Sequence, residues 1–213
     1  MPLELASGLT LYFSRHGQTQ ANLEKRFSGK KDTPLTALGR EQAHEVGQVL
    51  KRELGVRPAI ACVASPLKRA CTTMEIARGV LELPLQGYTT DARIQEIDLG
   101  RWDQLTDDEA RALDPAYFER RAADKWHVPA LGGEDYEDVA NRLSDWIADL
   151  KTDTFAVSHG AATRILRGLF LGLDAAHMSA LEEPQGVVFR VRGTQVTQLP
   201  PAGGAVSNPA SMG

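Results

Sequence analysis

The chain has 213 residues, of which 42% are hydrophobic and 24% charged, and its formal net charge is −4. That length can bury a substantial core without disulfides or metals, while the charge excludes an overall basic field for nucleic acid or anionic lipid, so any anion must be bound locally. Cys62 and Cys71 are too few for a disulfide framework, and no Cys/His cluster has zinc-ligand spacing. Met1-Pro2-Leu3-Glu4 opens no basic region followed by a long apolar run, and no segment has the length to span a bilayer, so a cytoplasmic protein without membrane or nucleic-acid partners is expected.

In chain order, Thr10 to Ser14 form the first short apolar run of strand length and end at Arg15-His16-Gly17. Leu38, Ala43, Val46, Leu50 and Leu54 then keep the three- and four-residue spacing of an amphipathic helix. A second strand is predicted over Ala59 to Ala64, followed by Ser65-Pro66, read as a capping hydroxyl with proline at the first helical position. The charged stretch from Asp103 to Leu131, interrupted by Pro115 and Pro129, reads as an excursion from the sheet that could cover a site. Tyr136, Val139, Leu143, Ile147 and Leu150 repeat the helical spacing, and Thr154 to Ser158 give a third strand. Gly160 separates that strand from a helix running through Ile165, Leu166, Leu169 and Phe170. Val187 to Val191 with Val196 to Leu199 suggest a late hairpin, and the small, uncharged residues from Pro200 to Gly213 a disordered tail. Alternating strands and helices argue for one α/β domain, over residues 1–199, with a mostly parallel sheet.

Ligands of open α/β sheets bind beyond the carboxyl ends of strands. Those ends supply Arg15-His16-Gly17, Ser65-Pro66-Leu67-Lys68-Arg69 and Ser158-His159-Gly160, so two histidines and two arginines can converge on one edge. The set suits a phosphoryl group: guanidinium forks clamp oxygens, one imidazole attacks phosphorus, and the other donates to an oxygen. An arginine about 4 Å from a phosphate charge contributes on the order of 4 kcal/mol at an effective dielectric near 20, before desolvation. Nearby arginines favour a neutral, nucleophilic imidazole, whereas a carboxylate beside the phosphate is pushed towards its protonated form and can serve the leaving group. Glu96, within Arg93-Ile94-Gln95-Glu96-Ile97-Asp98, is the candidate acid.

Taken singly, His16 and His159 are as readily strand-end histidines with structural partners, Arg69 a solvated charge, and Glu96 one of several carboxylates in its neighbourhood. Order and spacing carry the argument instead. Arg15-His16-Gly17-Gln18-Thr19 with Asn22, Arg26-Phe27-Ser28-Gly29 leading to Asp32-Thr33-Pro34-Leu35-Thr36-x-x-Gly39, Ser65-Pro66-Leu67-x-Arg69-Ala70-x-x-Thr73, Glu96 before Leu99-Gly100-x-Trp102, and Ser158-His159-Gly160 succeed one another across the chain. In these segments the chain resembles the histidine phosphatase superfamily, in the branch of the cofactor-dependent phosphoglycerate mutases and their phosphatase relatives. The resemblance implies a three-layer α/β/α fold and a His16 that becomes phosphorylated. It makes Arg15, Arg69 and His159 the phosphate pocket and Glu96 the group exchanging protons with substrate and water. It further implies that Asn22, Ser28, Gly29 and Gly160 border the pocket, and that neither metal nor cofactor is needed. Gln18, Gly133-Glu134-Asp135 and Asp103-Gln104 depart from frequent family residues without removing a catalytic group.

The resulting expectation is a phosphatase for a small phosphorylated metabolite. A phosphoglycerate mutase and a non-catalytic phospho-ligand-binding module are the rivals, and a homodimer is one assembly open to the chain. The short span from Glu96 to Gly133, Ile97-Asp98-Leu99-Gly100 after Glu96 where mutases carry an Arg-His-Tyr-Gly type signature, and Ala161 where they carry asparagine favour hydrolysis. Trp102 reads as packing, Arg120-Arg121 and Lys125 as a charged face able to steer an anion, and His44, His127 and His177 as surface residues.

Overall fold

A computed structural model describes residues 2–202. In chain order the elements are β1 (Leu11–Arg15), α1 (Gln20–Leu23), α2 (Ala37–Leu54), β2 (Ala61–Ala64), α3 (Lys68–Val80), β3 (Thr89–Thr90), α4 (Asp107–Leu113), α5 (Pro115–Ala123), α6 (Tyr136–Ala148), β4 (Thr154–Ser158), α7 (Gly160–Leu171), α8 (Ala175–Ala180), β5 (Phe189–Arg192) and β6 (Gln195–Gln198). The strands form one six-stranded sheet in the order β3-β2-β4-β1-β5-β6. β1, β4, β2 and β3 run parallel, and the β5–β6 hairpin joins β1 antiparallel. This is the mostly parallel α/β sheet expected, with β4 at the limits predicted and the other expected strands shifted by one or two residues.

The period of two along each strand sets the layers. Tyr12, Phe155 and Val157 point into a core shared with Val46 and Leu50 of α2 and Met74 of α3. Leu11, Phe13 and Ala156 face the opposite side, against Leu143 of α6 and Ile165 and Phe170 of α7. Helices therefore cover both faces. Burying each of Phe13 and Phe155 contributes about 1.5–3 kcal/mol, and the alternation they belong to fixes the register in which the strands pair.

β4 lies between β1 and β2, with Arg15 opposite Ser158 and Ala64 opposite Val157. The residues that follow these three strands consequently emerge side by side. The turn after β1 is locked by two glycines: a Cβ on Gly17 would fall 2.0 Å from the Gly39 carbonyl oxygen, and one on Gly39 2.0 Å from that of Gln18. Two separated motifs thus meet backbone to backbone. Thr36 caps α2 by accepting from Gly39 N at 3.0 Å.

The stretch from Asp103 to Leu131 does leave the sheet, as α4 and α5. Trp102 anchors it, stacked on Phe27 at 6.1 Å between ring centroids and packed against Phe118 at 5.3 Å. At the other end of the chain, Pro200 and Pro201 do not begin a free tail, because their carbonyls accept from Arg52 and Ala202 N donates to Glu45. The rest of the predicted tail, 203–213, lies outside the described residues. No described helix is long and apolar enough to cross a membrane. His44, His127 and His177 are exposed.

Candidate active site

His16 continues the β1–β4 ladder, its backbone N–H donating to Ser158 O at 2.9 Å. Its Nδ1 lies 2.7 Å from Gly17 O. Since a carbonyl only accepts, Nδ1 carries the hydrogen and Nε2 holds the lone pair. Arg69 Nε donates to that lone pair at 3.2 Å. Burial pushes the imidazole well below its usual range, and Arg15 and then Arg69 push it further, against a smaller opposing effect of the Gly17 carbonyl.

His159 stands after β4, fully buried, its ring 5.1 Å from that of His16 at 64°. Its Nε2 lies 2.7 Å from Ser65 Oγ. Ser65 Oγ also accepts from Leu67 N at 3.3 Å, and its hydroxyl hydrogen and second lone pair serve either tautomer of His159. The other ring nitrogen, Nδ1, is buried without a protein partner. Burial again lowers this histidine well below its usual range, helped by Arg69 and His16.

The sequence reading of Ser65-Pro66 as a helix start needs correction. α3 begins at Lys68, with Leu67 as its cap and no capping side chain of its own. Asp32 performs that task from another segment, accepting from Lys68 N at 2.8 Å and Arg69 N at 3.3 Å. The Ser65 hydroxyl is thereby left to orient His159. The Asp32 carboxylate also takes Arg69 Nη1 at 3.0 Å, and the carbonyls of Lys31 and Gly29 take the rest of the guanidinium at 3.0 and 2.5 Å. Asp103 holds that loop by accepting from Gly29 N and Lys31 N, both at 2.8 Å. Arg69 is in effect built into the backbone beneath His16.

Glu96 follows a short 3₁₀ turn, Ala92–Ile94, and is buried. Its carboxylate accepts from Ile97 N at 3.0 Å and, at 3.3 and 3.4 Å, from Ala161 N and Ala162 N in the first turn of α7. Burial pushes its pKa above the usual carboxylate range, and the neighbouring Glu183 charge pushes the same way. The Ile97 N–H, Arg69 and Arg15 oppose them. Arg142 secures the backbone beneath it, donating to the carbonyls of Arg93, Gln95 and Glu96.

A cavity of about 450 Å³ opens over these groups. Of the residues named from sequence, Arg15, His16, Asn22, Ser28 and Glu96 line it. Arg69, His159, Gly29 and Gly160 do not. Arg69 and His159 are covered by their neighbours, and the Gly29 carbonyl is turned to Arg69 instead of the cavity. Asn22 is both cap and wall, since its Oδ1 accepts from Thr19 N and from Gln185 Nε2. Ser28 Oγ is buried with no protein partner. Trp102, expected only to pack, also lines the cavity, as do Arg121 and Lys125.

Sequence reasoning missed Glu183 altogether. It lies between α8 and β5, where its backbone carbonyl accepts from Arg15 Nη1 at 2.6 Å and its carboxylate pairs with Arg164 Nη2 at 3.1 Å. Nothing in Leu181-Glu182-Glu183-Pro184 marks it, because its partners come from β1 and α7. Among the described residues, no group of three or more His, Cys, Asp or Glu is placed to hold a metal ion.

Paired imidazoles, two arginines and a buried carboxyl thus stand together at the carboxyl edge of a parallel sheet. Residues 11–197 match the model of the histidine phosphatase superfamily (branch 1), and the chain belongs to that family. It is 33% identical, over 194 residues, to the 2,3-bisphosphoglycerate-dependent phosphoglycerate mutase of Chelativorans sp. (strain BNC1), covering 85% of this chain and 92% of the relative. It is 30% identical, over 184 residues, to the 6-phosphofructo-2-kinase/fructose-2,6-bisphosphatase of Aquarana catesbeiana; the match takes in 85% of this chain but only 37% of that longer protein. In structure it is similar to the α-ribazole phosphatase from Shigella flexneri, with a TM-score of 0.77 at 25% identity over 94% of this chain and 100% of the other. The relatives thus include both phosphatases and mutases.

Proposed function

We propose that the protein is a metal-independent phosphomonoester phosphatase that acts on a small phosphorylated metabolite through a phosphohistidine. The observation that carries this reading is the pairing of a neutral His16, whose Nε2 lone pair is fixed by the Nδ1–Gly17 hydrogen bond, with a Glu96 whose pKa is raised. A free imidazole lone pair and a carboxyl raised in pKa are shifted in the directions that favour the first step.

In that step the His16 Nε2 lone pair attacks phosphorus, the phosphorus–oxygen ester bond breaks, and the Glu96 proton passes to the leaving alkoxide. As phosphorus takes the lone pair, Arg69 Nε–H transfers its hydrogen bond from Nε2 to a phosphoryl oxygen. His159 and Arg15 serve the remaining oxygens, and the charge they receive is the charge developing in the transition state. In the second step Glu96, now a carboxylate, takes a proton from water whose oxygen attacks phosphorus. The phosphorus–nitrogen bond breaks, and inorganic phosphate leaves with both residues in their starting states.

The expected measurement is phosphate release from a panel of phosphomonoesters in EDTA, abolished in His16→Ala. Persistence of normal release in purified His16→Ala would end this mechanism. A mutase must shield its phosphoenzyme from water, whereas here two short helices, α4 and α5, cover the cavity. Conversion of 3-phosphoglycerate to 2-phosphoglycerate faster than phosphate release would reverse the choice.

A further inference from the structure

The Glu183 side chain sits where an anion would be expected. Its Oε1 is 3.1 Å from Arg164 Nη2 and its Oε2 3.6 Å from Arg15 Nη1. The same Oε2 lies over the first residue of α7, because a Cβ built on Gly160 would come within 2.4 Å of it. α7 has 12 residues, so its N-terminus adds the positive end of a helix dipole to the two guanidiniums. Both arginines also keep a buried Nε with no protein partner. Lys125 and Arg167 lie close enough to feel the same carboxylate. One carboxylate is thus surrounded by cations at the mouth of the proposed phosphate site, and it is about a quarter exposed to the cavity that it lines.

We infer that Glu183 is an internal competitor for the phosphoryl group: its carboxylate occupies the Arg15–Arg164 position, swings away when a phosphate ester binds, and returns to speed departure of inorganic phosphate. The inference rests on the phosphatase reading for its biological sense and concerns the same site. A dianionic phosphoryl group attached to a well-fitting alcohol can displace a carboxylate that is held by solvent-accessible ion pairs. Inorganic phosphate has no alcohol part to add binding from the cavity wall, so it competes less well. The backbone need not move. The Glu183 carbonyl stays on Arg15, while Gln185 Nε2 ties the same segment to His16 O at 3.2 Å and to Asn22 Oδ1 at 3.0 Å.

A positioning role for Glu183, merely aiming Arg15 and Arg164, predicts the opposite sign. The test is therefore direct binding of inorganic phosphate to the full chain by calorimetry, for wild type, Glu183→Gln and Glu183→Ala, alongside steady-state kinetics on 4-nitrophenyl phosphate. A competitor predicts that both variants bind phosphate about three- to tenfold more tightly, in keeping with removal of a partly exposed ion pair, and that its inhibition constant falls in parallel. Glu183→Ala guards against a glutamine amide that reoccupies the site. Unchanged or weaker phosphate binding in both variants overturns the inference, even if turnover is normal. Tighter binding in a protein that hydrolyses nothing in the panel upholds the competitor and rejects the phosphatase reading.

Discussion

At the carboxyl edge of β1, β2 and β4, Arg69 gives its guanidinium to three backbone carbonyls and Asp32, and Glu96 rests on three backbone N–H groups. Across the cavity, Arg121 of α5 lies over the Trp102 ring at 5.5 Å with its Nε unpaired. The first region is held by the sheet and by helix ends, so its geometry is over-determined. The second hangs from an aromatic cluster, where a buried arginine keeps unpaired hydrogen-bonding capacity. On the proposed function, that contrast separates the chemistry, which must be rigid, from selection of the alcohol, which can vary without disturbing the phosphate end.

The sharpest break of this contrast comes from the edge. His16→Ala should lower turnover at least about 10⁴-fold and abolish acid-labile phosphorylation of the protein, while phosphate-ester binding by calorimetry survives. It should also alter the pH dependence of stability. Both histidines have folded pKa values below their ordinary value, so as pH falls through the ordinary histidine range the unfolded chain takes up protons that the native chain refuses. Stability is then lost as pH falls towards the folded values, and His16→Ala should flatten that slope in urea titrations. Glu96 has the opposite sign: its raised pKa contributes stability below the ordinary carboxylate range that is lost as pH rises through the folded value.

Glu96→Gln comes next. It keeps the size and one acceptor of the side chain but cannot transfer a proton, so kcat on an alkyl phosphate should fall about 10²–10⁴-fold. The loss in the phosphorylation step should be much smaller for 4-nitrophenyl phosphate, whose leaving group needs no proton. Equal losses on both esters, read from single-turnover release of the alcohol, would remove Glu96 from that step. The alkaline limb of the wild-type pH–rate profile should lie above the ordinary carboxylate range and vanish in the variant.

Asp32→Asn tests whether the edge is over-determined. Asparagine can still cap α3, so the expected loss of stability is about 1 kcal/mol, but the charge facing Arg69 disappears. We expect kcat/KM to drop about tenfold, with folding intact by thermal denaturation. A drop as large as that of Glu96→Gln would mean that Arg69 depends on this one partner.

Much of the edge was legible because it is written in contiguous residues at the ends of apolar runs. Arg15-His16, Arg69 and Ser158-His159 come together since β1, β4 and β2 are neighbours in register, whereas Glu96, picked out by motif spacing, is set by the 3₁₀ turn before it and by Arg142. What the residues could not reveal depends on distant partners. Ser65 meets His159 across 94 positions, Asp32 meets Arg69 across 37, and Glu183 meets Arg15 across 168. Local pattern gave Ser65 a capping role that Asp32 fills, and gave Glu183 no role. The two-residue β3 lacked a detectable period for the same reason: its pairing with β2, not its own sequence, makes it a strand.

The smallest effect is expected on the far wall. Arg121 is buried, its guanidinium is lowered in pKa chiefly by that burial, and it lines the cavity from above Trp102. Arg121→Gln removes a cation–aromatic contact worth about 1 kcal/mol and should lower the unfolding midpoint accordingly. Because Arg121 stands apart from His16 and Glu96, its contribution to a substrate is felt equally in ground state and transition state. KM for an ester with an anionic alcohol part should therefore rise a few-fold while kcat stays put. The uncharged 4-nitrophenyl group should show neither change. If kcat falls instead, for both esters, the cover and the edge are mechanically coupled, and the separation between them fails at the point where Trp102 joins the cover to the loop carrying Phe27 and Ser28.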